Sequence, residues 1–295
     1  MHVRSLRRLR TCQGGWGFFW QWWPCDGRRC LRLGRAMSFS EAQLDAWIGA
    51  WLWPLLRIGA MLMAAPVFSS RQVPVRFRLA LAVFITWVVA PTLPPMPSIN
   101  VIGYPGFIIM LQQILIGVVM GFLLQMVFAA LVFGGQVMAY SMGLGFASMV
   151  DPQNGVQVPV LAQYYLILAS FIFLFLGGHL LLIELLVDSF RTLPVALDGI
   201  NRNGFREIVA WTSRMFAGGL LIALPMVSAM LMVNIGMGVV MRAAPQLNIF
   251  SVGFPITILF GFALVWVTLP NVLTVFSNIL EEGFQLVMRL LAVTR

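Results

Sequence analysis

Hydrophobic positions along this chain come in long unbroken runs, not in the alternation of a half-buried strand. No Asp, Glu, Lys, Arg or His occurs from Leu79 to Val150, and the same holds from Pro152 to Gly178, Met215 to Met241 and Ala243 to Leu280. A helix needs about 20 apolar residues to cross a bilayer, and these runs are that long or longer. The pattern predicts helices near 42–65, 77–91, 107–133, 160–189, 207–241 and 248–277, with a short amphipathic end at 279–293.

Proline and glycine punctuate the runs. Thr-Leu-Pro follows an apolar run at 92–94, 192–194 and 268–270. Proline lacks an amide hydrogen and clashes with the preceding turn, so each is expected to stop or kink a helix. Pro91, Pro94, Pro95 and Pro97 make 91–97 a loop, while Pro54, Pro225, Pro245 and Pro255 predict kinks or interruptions. The stretch 107–150 is too long for one span, and breaks are expected at Gly134-Gly135 and at Gly143-Leu-Gly145. Gly117-Val-Val-Met-Gly121 has the small-xxx-small spacing that lets two helix backbones approach closely. Arg57 lies inside an otherwise apolar helix, where an unpaired charge is expensive, so it is expected to be paired or to contact carbonyl groups.

Composition fixes the class. The 295 residues are 60% hydrophobic and 10% charged, with a mean hydropathy of +0.90. A soluble domain is roughly a quarter charged, so this chain has too few polar residues to face water on all sides. An all-α membrane protein built of kinked helical hairpins is expected. Net charge is +9, but eight arginines and a single acid, Asp26, fall within 1–36. Cys12, Cys25 and Cys30 lie there too, without the paired spacing of a zinc site. From Met37 onward there is no cysteine, hence no disulfide. Segment 1–36 reads either as a start assigned too far upstream, with translation beginning at Met37, or as a basic arm on the membrane surface.

Catalytic chemistry is hard to find. The only histidines are His2 and His179. There is no His-x-x-Glu-His pair and no Gly-Lys-Ser/Thr phosphate loop. Ser148 has no nucleophile-elbow setting. His179, Glu184 and Asp188 suit either a proton relay within a membrane or the polar end of a span beside Arg191. No enzyme activity, cofactor, metal or nucleic-acid partner is expected.

Several strings occur in a telling order. Trp53-Pro-Leu-Leu-Arg57 is followed by Ala65-Pro66, then Pro74 with Arg76 and Arg78, then Gln112-Gln-Ile-Leu-Ile-Gly117. Met142-Gly-Leu-Gly-Phe-Ala147 leads into Asp151-Pro152. Gly178-His179, Leu186-Val-Asp188-Ser-Phe and Thr192-Leu-Pro194 come next, and Ala244-Pro-Gln-Leu-Asn-Ile-Phe250 runs into Gly253-Phe-Pro255. Over about 37–293 the chain resembles the FliR/SctT family of type III secretion export-gate proteins.

The resemblance implies a FliP-like part over about 37–206 and a FliQ-like part over about 207–295. It implies a place in a right-handed helical assembly with FliP-like and FliQ-like subunits and an FlhB-like protein. Unfolded flagellar proteins would pass through the pore of that assembly, in the bacterial inner membrane at the flagellar basal body. It also implies a pore plug over 143–154. There Phe146 and Met149 would point inward, Gly143 and Gly145 would permit irregular backbone, and Asp151-Pro152 would end the helical run. Two rival functions remain: a virulence injectisome export gate, and a stand-alone small-molecule transporter. The latter would carry a polar midplane site formed by broken helices, against which the uncharged runs speak.

The leader generates the first test. A gene starting at Met37 should restore motility to a deletion strain as well as the full reading frame does. Loss of motility at equal expression would show that 1–36 is needed.

Overall fold

In the computed structural model the described residues are 41–69, 73–97, 99, 101, 103–145, 159–197, 199, 202–244 and 252–292. Their regular elements are all helical: α1 Glu41–Ala64, α2 Val75–Val89 with a 3-10 turn at Ala90–Thr92, α3 Tyr104–Ser141, α4 Val160–Phe175, α5 Gly178–Thr192, α6 Arg202–Ala243 and α7 Phe254–Ala292. By length and composition, α1, α2 with its 3-10 turn, α3, α6 and α7 each suffice to cross a membrane, and the bent pair α4–α5 makes six if it counts as one span. The all-α membrane class is therefore observed.

Three boundaries differ from the sequence pattern. First, α3 runs unbroken through Gly134-Gly135. Those glycines do not break the helix; they admit neighbours. A Cβ on Gly134 would lie 2.9 Å from the Gly219 carbonyl oxygen of α6, and one on Gly135 would lie 3.0 Å from the Ala162 Cα of α4. In an apolar setting no water competes for the backbone hydrogen bonds, so helix persists across glycine. Second, the expected helix 160–189 is two helices bent by 67°. Gly177 sits between them with φ 69°, a left-handed conformation open to glycine at little cost. Third, the expected break at 268–270 is absent. Pro270 lies inside one 39-residue helix, and Pro54 and Pro225 are likewise inside α1 and α6. The expected helix 248–277 and amphipathic end 279–293 are thus one element, α7.

Helix α3 is the axis of the packing. Phe128 on it meets Phe173 of α4 edge-on at 5.7 Å and Phe276 of α7 at 5.8 Å. Gly219 of α6 abuts the Ala130 carbonyl oxygen, and Gly283 of α7 abuts Val127. Nearer the N-terminal end of α3, α1 crosses it at Gly117 and Gly121. A Cβ on Gly121 would lie 2.5 Å from the Ala64 Cβ and 2.7 Å from the Met61 carbonyl oxygen; one on Gly117 would run into the Arg57 carbonyl oxygen. Ala60 and Ala64 on α1 complement the two glycines, so small residues face small residues.

Helices α6 and α7 are antiparallel and long. At about 1.5 Å per residue the 42 residues of α6 span about 63 Å, twice the ~30 Å hydrocarbon core. Beyond Met230 no described residue of α6 is buried. Leu231, Met232, Ile235 and Val239 are exposed there, and Gly236 and Gly238 have open space beside them.

The contrast between these glycines is testable. Gly121→Ala should cost about 1–3 kcal/mol through overpacking, read as a lower thermal midpoint of the detergent-solubilised chain. Gly236→Ala should leave the midpoint unchanged or slightly raised, since nothing is crowded and helix propensity improves. Equal effects would mean that the α1–α3 crossing is not tightly packed at Gly121.

Candidate functional site

The most concentrated polar chemistry of the helical body surrounds Arg57, which has no solvent exposure. It lies in α1 one turn before Ala60 and Met61, on the face that α3 approaches. The guanidinium Nε donates to Gln113 Oε1 of α3 at 2.8 Å. Nη1 donates to the Ser189 carbonyl oxygen at 2.9 Å and to Ser189 Oγ at 3.0 Å, and Nη2 donates to the Leu193 carbonyl oxygen at 3.0 Å. The Ser189 hydroxyl passes its own proton on to the Leu186 carbonyl oxygen at 2.6 Å. The Phe190 ring lies under the cation, with Cζ 4.1 Å from its centroid, a cation–π contact that strengthens when water is excluded.

Among the described residues no carboxylate takes part. The charge is compensated by carbonyl dipoles at the C-terminal end of α5, where the helix dipole is negative and backbone acceptors lack helical partners. The nearby acid, Asp188, is turned outward and pairs with Arg191 at 3.6 Å, both half-exposed or more. An exposed pair of that kind contributes little. Glu184 is exposed as well. Glu184 and Asp188 thus form a polar edge of α5, while the Nδ1 of His179, at the start of that helix, is buried with no hydrogen-bond partner among the described residues. Among the described residues no three His, Cys, Asp or Glu side chains come together as a metal site.

Gln112, beside Gln113, donates through Nε2 to the Leu197 carbonyl oxygen, and its side chain packs on Gly199. Two neighbouring amides of α3 therefore fasten the segment after α5. One acts through Arg57 and the other directly. That segment precedes α6 in the chain. The expected division at 206/207 falls one turn inside α6.

The expected plug lies past the end of α3. The Gly143 amide bonds the Tyr140 carbonyl at 3.0 Å and the Leu144 amide bonds the Ala139 carbonyl at 3.0 Å, with Gly143 at φ 80°. This pair of bonds is a Schellman stop. Gly143 is therefore the residue that ends α3. Gly145 lies against the Tyr140 ring. Phe146, Met149, Asp151 and Pro152 lie outside the described residues.

Sequence reasoning singled out Arg57 but none of its partners. Ser189, Phe190 and Leu193 are 132 to 136 residues away, beyond any local pattern. Gln113 carried a usable signal, being one of two adjacent amides in a run without charge.

Residues 48–283 match the family described as bacterial export proteins, family 1. The flagellar biosynthetic protein FliR of Escherichia coli (strain K12) is 39% identical over 250 residues, covering 85% of this chain and 95% of that protein. FliR of Pectobacterium carotovorum subsp. carotovorum is 37% identical over 255 residues, covering 86% and 97%. FliR of Bacillus subtilis (strain 168) is 28% identical over 246 residues, covering 82% and 95%.

Arg57→Leu should strand two buried carbonyl oxygens and the Gln113 amide. The cost should be about 3 kcal/mol or more, seen as a thermal midpoint roughly 10 °C lower in mild detergent. Arg57→Lys keeps the charge but loses the planar fork, and should fall between wild type and leucine. A leucine variant as stable as wild type would refute the anchoring role.

Proposed function

The chain belongs to the FliR family of bacterial export proteins, and from that premise we propose that it is a subunit of the flagellar type III protein export gate. In this reading it joins FliP-like and FliQ-like subunits, beside an FlhB-like protein, in the bacterial inner membrane at the flagellar basal body. Together they form the pore through which unfolded flagellar proteins leave the cell interior. The chain contributes walls and a closure, with no catalytic step and no cofactor.

One observation carries the reading: near end-to-end similarity to relatives named for flagellar biosynthesis, which leaves little of the chain for another task. The geometry is compatible. The α6–α7 hairpin is about twice the length that a bilayer needs, and its far part is apolar, exposed and glycine-bearing. Such a surface suits other helices. In this reading residues up to about 206 are the FliP-like portion and about 207–295 the FliQ-like portion.

The closure falls to the segment that begins at the Gly143 stop. Phe146 and Met149 supply apolar bulk, and a hydrophobic constriction blocks ions by dewetting. Methionine deforms easily around a passing chain. Asp151-Pro152 bars helix from continuing, because the residue before proline avoids the α region.

Two measurements test this. Complexes purified through this chain in mild detergent should contain FliP-like and FliQ-like subunits; recovery of the chain alone would sink the assignment. Deleting 146–154, or shortening Phe146 and Met149 to alanine, should leave assembly intact while cells become salt-sensitive. Each lost apolar contact should weaken the closed state by about 2–5 kcal/mol if the side chain is buried. Full ion-tightness in an assembled deletion variant would place the seal on the partner subunits.

A further inference from the structure

Charge returns to α6 and α7 at the same level. On α6 Arg214 is the last ionisable residue before the apolar run Met215–Met241; on α7 Glu281 is the first after Ala243–Leu280. Gly218 abuts Ile279 and Gly283 approaches Trp211, so the two boundaries lie side by side. Here the helices frame an open cleft of about 280 Å3, lined by Glu207, Ala210, Trp211, Arg214, Leu286 and Arg289. That is just below the ~300–1,000 Å3 of pockets for drug-sized ligands, and suits a compact polar group. Arg214 and Arg289 are exposed, and neither has an ion-pair partner among the described residues. Trp211 is 7% exposed and Leu286 4%, so the cleft has an apolar floor.

We propose that this cleft binds the phosphodiester head of an anionic membrane phospholipid, with the phosphate between Arg214 and Arg289. A lipid is favoured over a soluble anion because the apolar run starts at the very next residue. Leu221, two turns beyond Arg214 on the same helix face, is 58% exposed and gives an acyl chain a surface to follow. Tryptophan at such a boundary and arginines between helices are the usual elements of headgroup recognition. The charge count sets the ligand class. Among the residues that line the cleft, two guanidiniums against one carboxylate leave a single positive charge, which a phosphodiester monoanion balances. Glu207 repels a second negative charge and so disfavours phosphate monoesters. It also accepts a hydrogen bond, which the glycerol hydroxyls of phosphatidylglycerol donate and the quaternary ammonium of phosphatidylcholine does not.

The test is native mass spectrometry on the delipidated complex purified through the full chain. Phosphatidylglycerol is titrated in, with phosphatidylcholine and inorganic phosphate as separate arms. The wild type should hold one more phosphatidylglycerol than the Arg214→Gln/Arg289→Gln variant, with an affinity about ten-fold or more higher. Excess inorganic phosphate should not displace it. Equal binding by both proteins, equal binding of phosphatidylcholine, or displacement by inorganic phosphate each overturns the proposal. If the double variant yields no complex, Glu207→Gln decides. It should raise the affinity for phosphatidic acid relative to phosphatidylglycerol, and an unchanged ratio refutes the site.

Discussion

A positive charge sealed from solvent, with no carboxylate beside it among the described residues, holds its surroundings to a narrow geometry. Arg57 meets its need with acceptors from two other helices, and each acceptor must be within hydrogen-bond reach for the charge to be tolerated. The close approach of α1 and α3 makes this possible. Gly117 of α3 lies against the backbone carbonyl of Arg57, while Gln113, one turn earlier, takes the side chain. A larger residue at 117 would push the helices apart and withdraw Gln113 from the guanidinium. The glycine seam and the buried arginine are therefore one device. The same device holds the C-terminal end of α5.

The rest of the packing follows from α3 being surrounded. Its neighbours approach through glycine at 134, 135, 219 and 283, and through the interlocked rings of Phe128, Phe173 and Phe276. The outward faces are different. Phe77, Phe84 and Trp87 of α2 are exposed, as are Phe260, Phe262 and Trp266 of α7. In water such surface would be costly, at about 25 cal/mol per Å2. In lipid or against other apolar helices it is not. The molecule thus has a dry, tightly specified interior and a periphery that only an apolar environment satisfies.

Helix positions were legible because uncharged runs are long and their ends are charged or rich in proline. The breaks were less so. Proline at 54, 225 and 270 and glycine at 134–135 looked like interruptions, yet the helices absorb them. The real bend lies at Gly177, within a run that looked uniform. Propensities measured in water overstate breaks where the backbone has no alternative partner. The Gly117/Gly121 spacing and the oddity of Arg57 could be read directly. Its acceptors could not, because backbone carbonyls leave no mark in a sequence and the residues that carry them lie far along the chain. The cleft at Arg214 and Arg289 was equally hidden, since only the antiparallel pairing of α6 and α7 brings 214 and 289 together.

The separation between Arg57 and Ser189, 132 residues, also sets an order of events during synthesis. At roughly 5–20 residues per second, α5 leaves the ribosome about 7–26 s after α1. For that interval the arginine is in or near the membrane without its carbonyl acceptors, and Gln113 is the one partner that can reach it earlier. A nascent α1 is therefore expected to dwell at the interface or against the insertion machinery until the later helices arrive. The final locking of the helical body is then a late step, reached when more than half of the chain has been made.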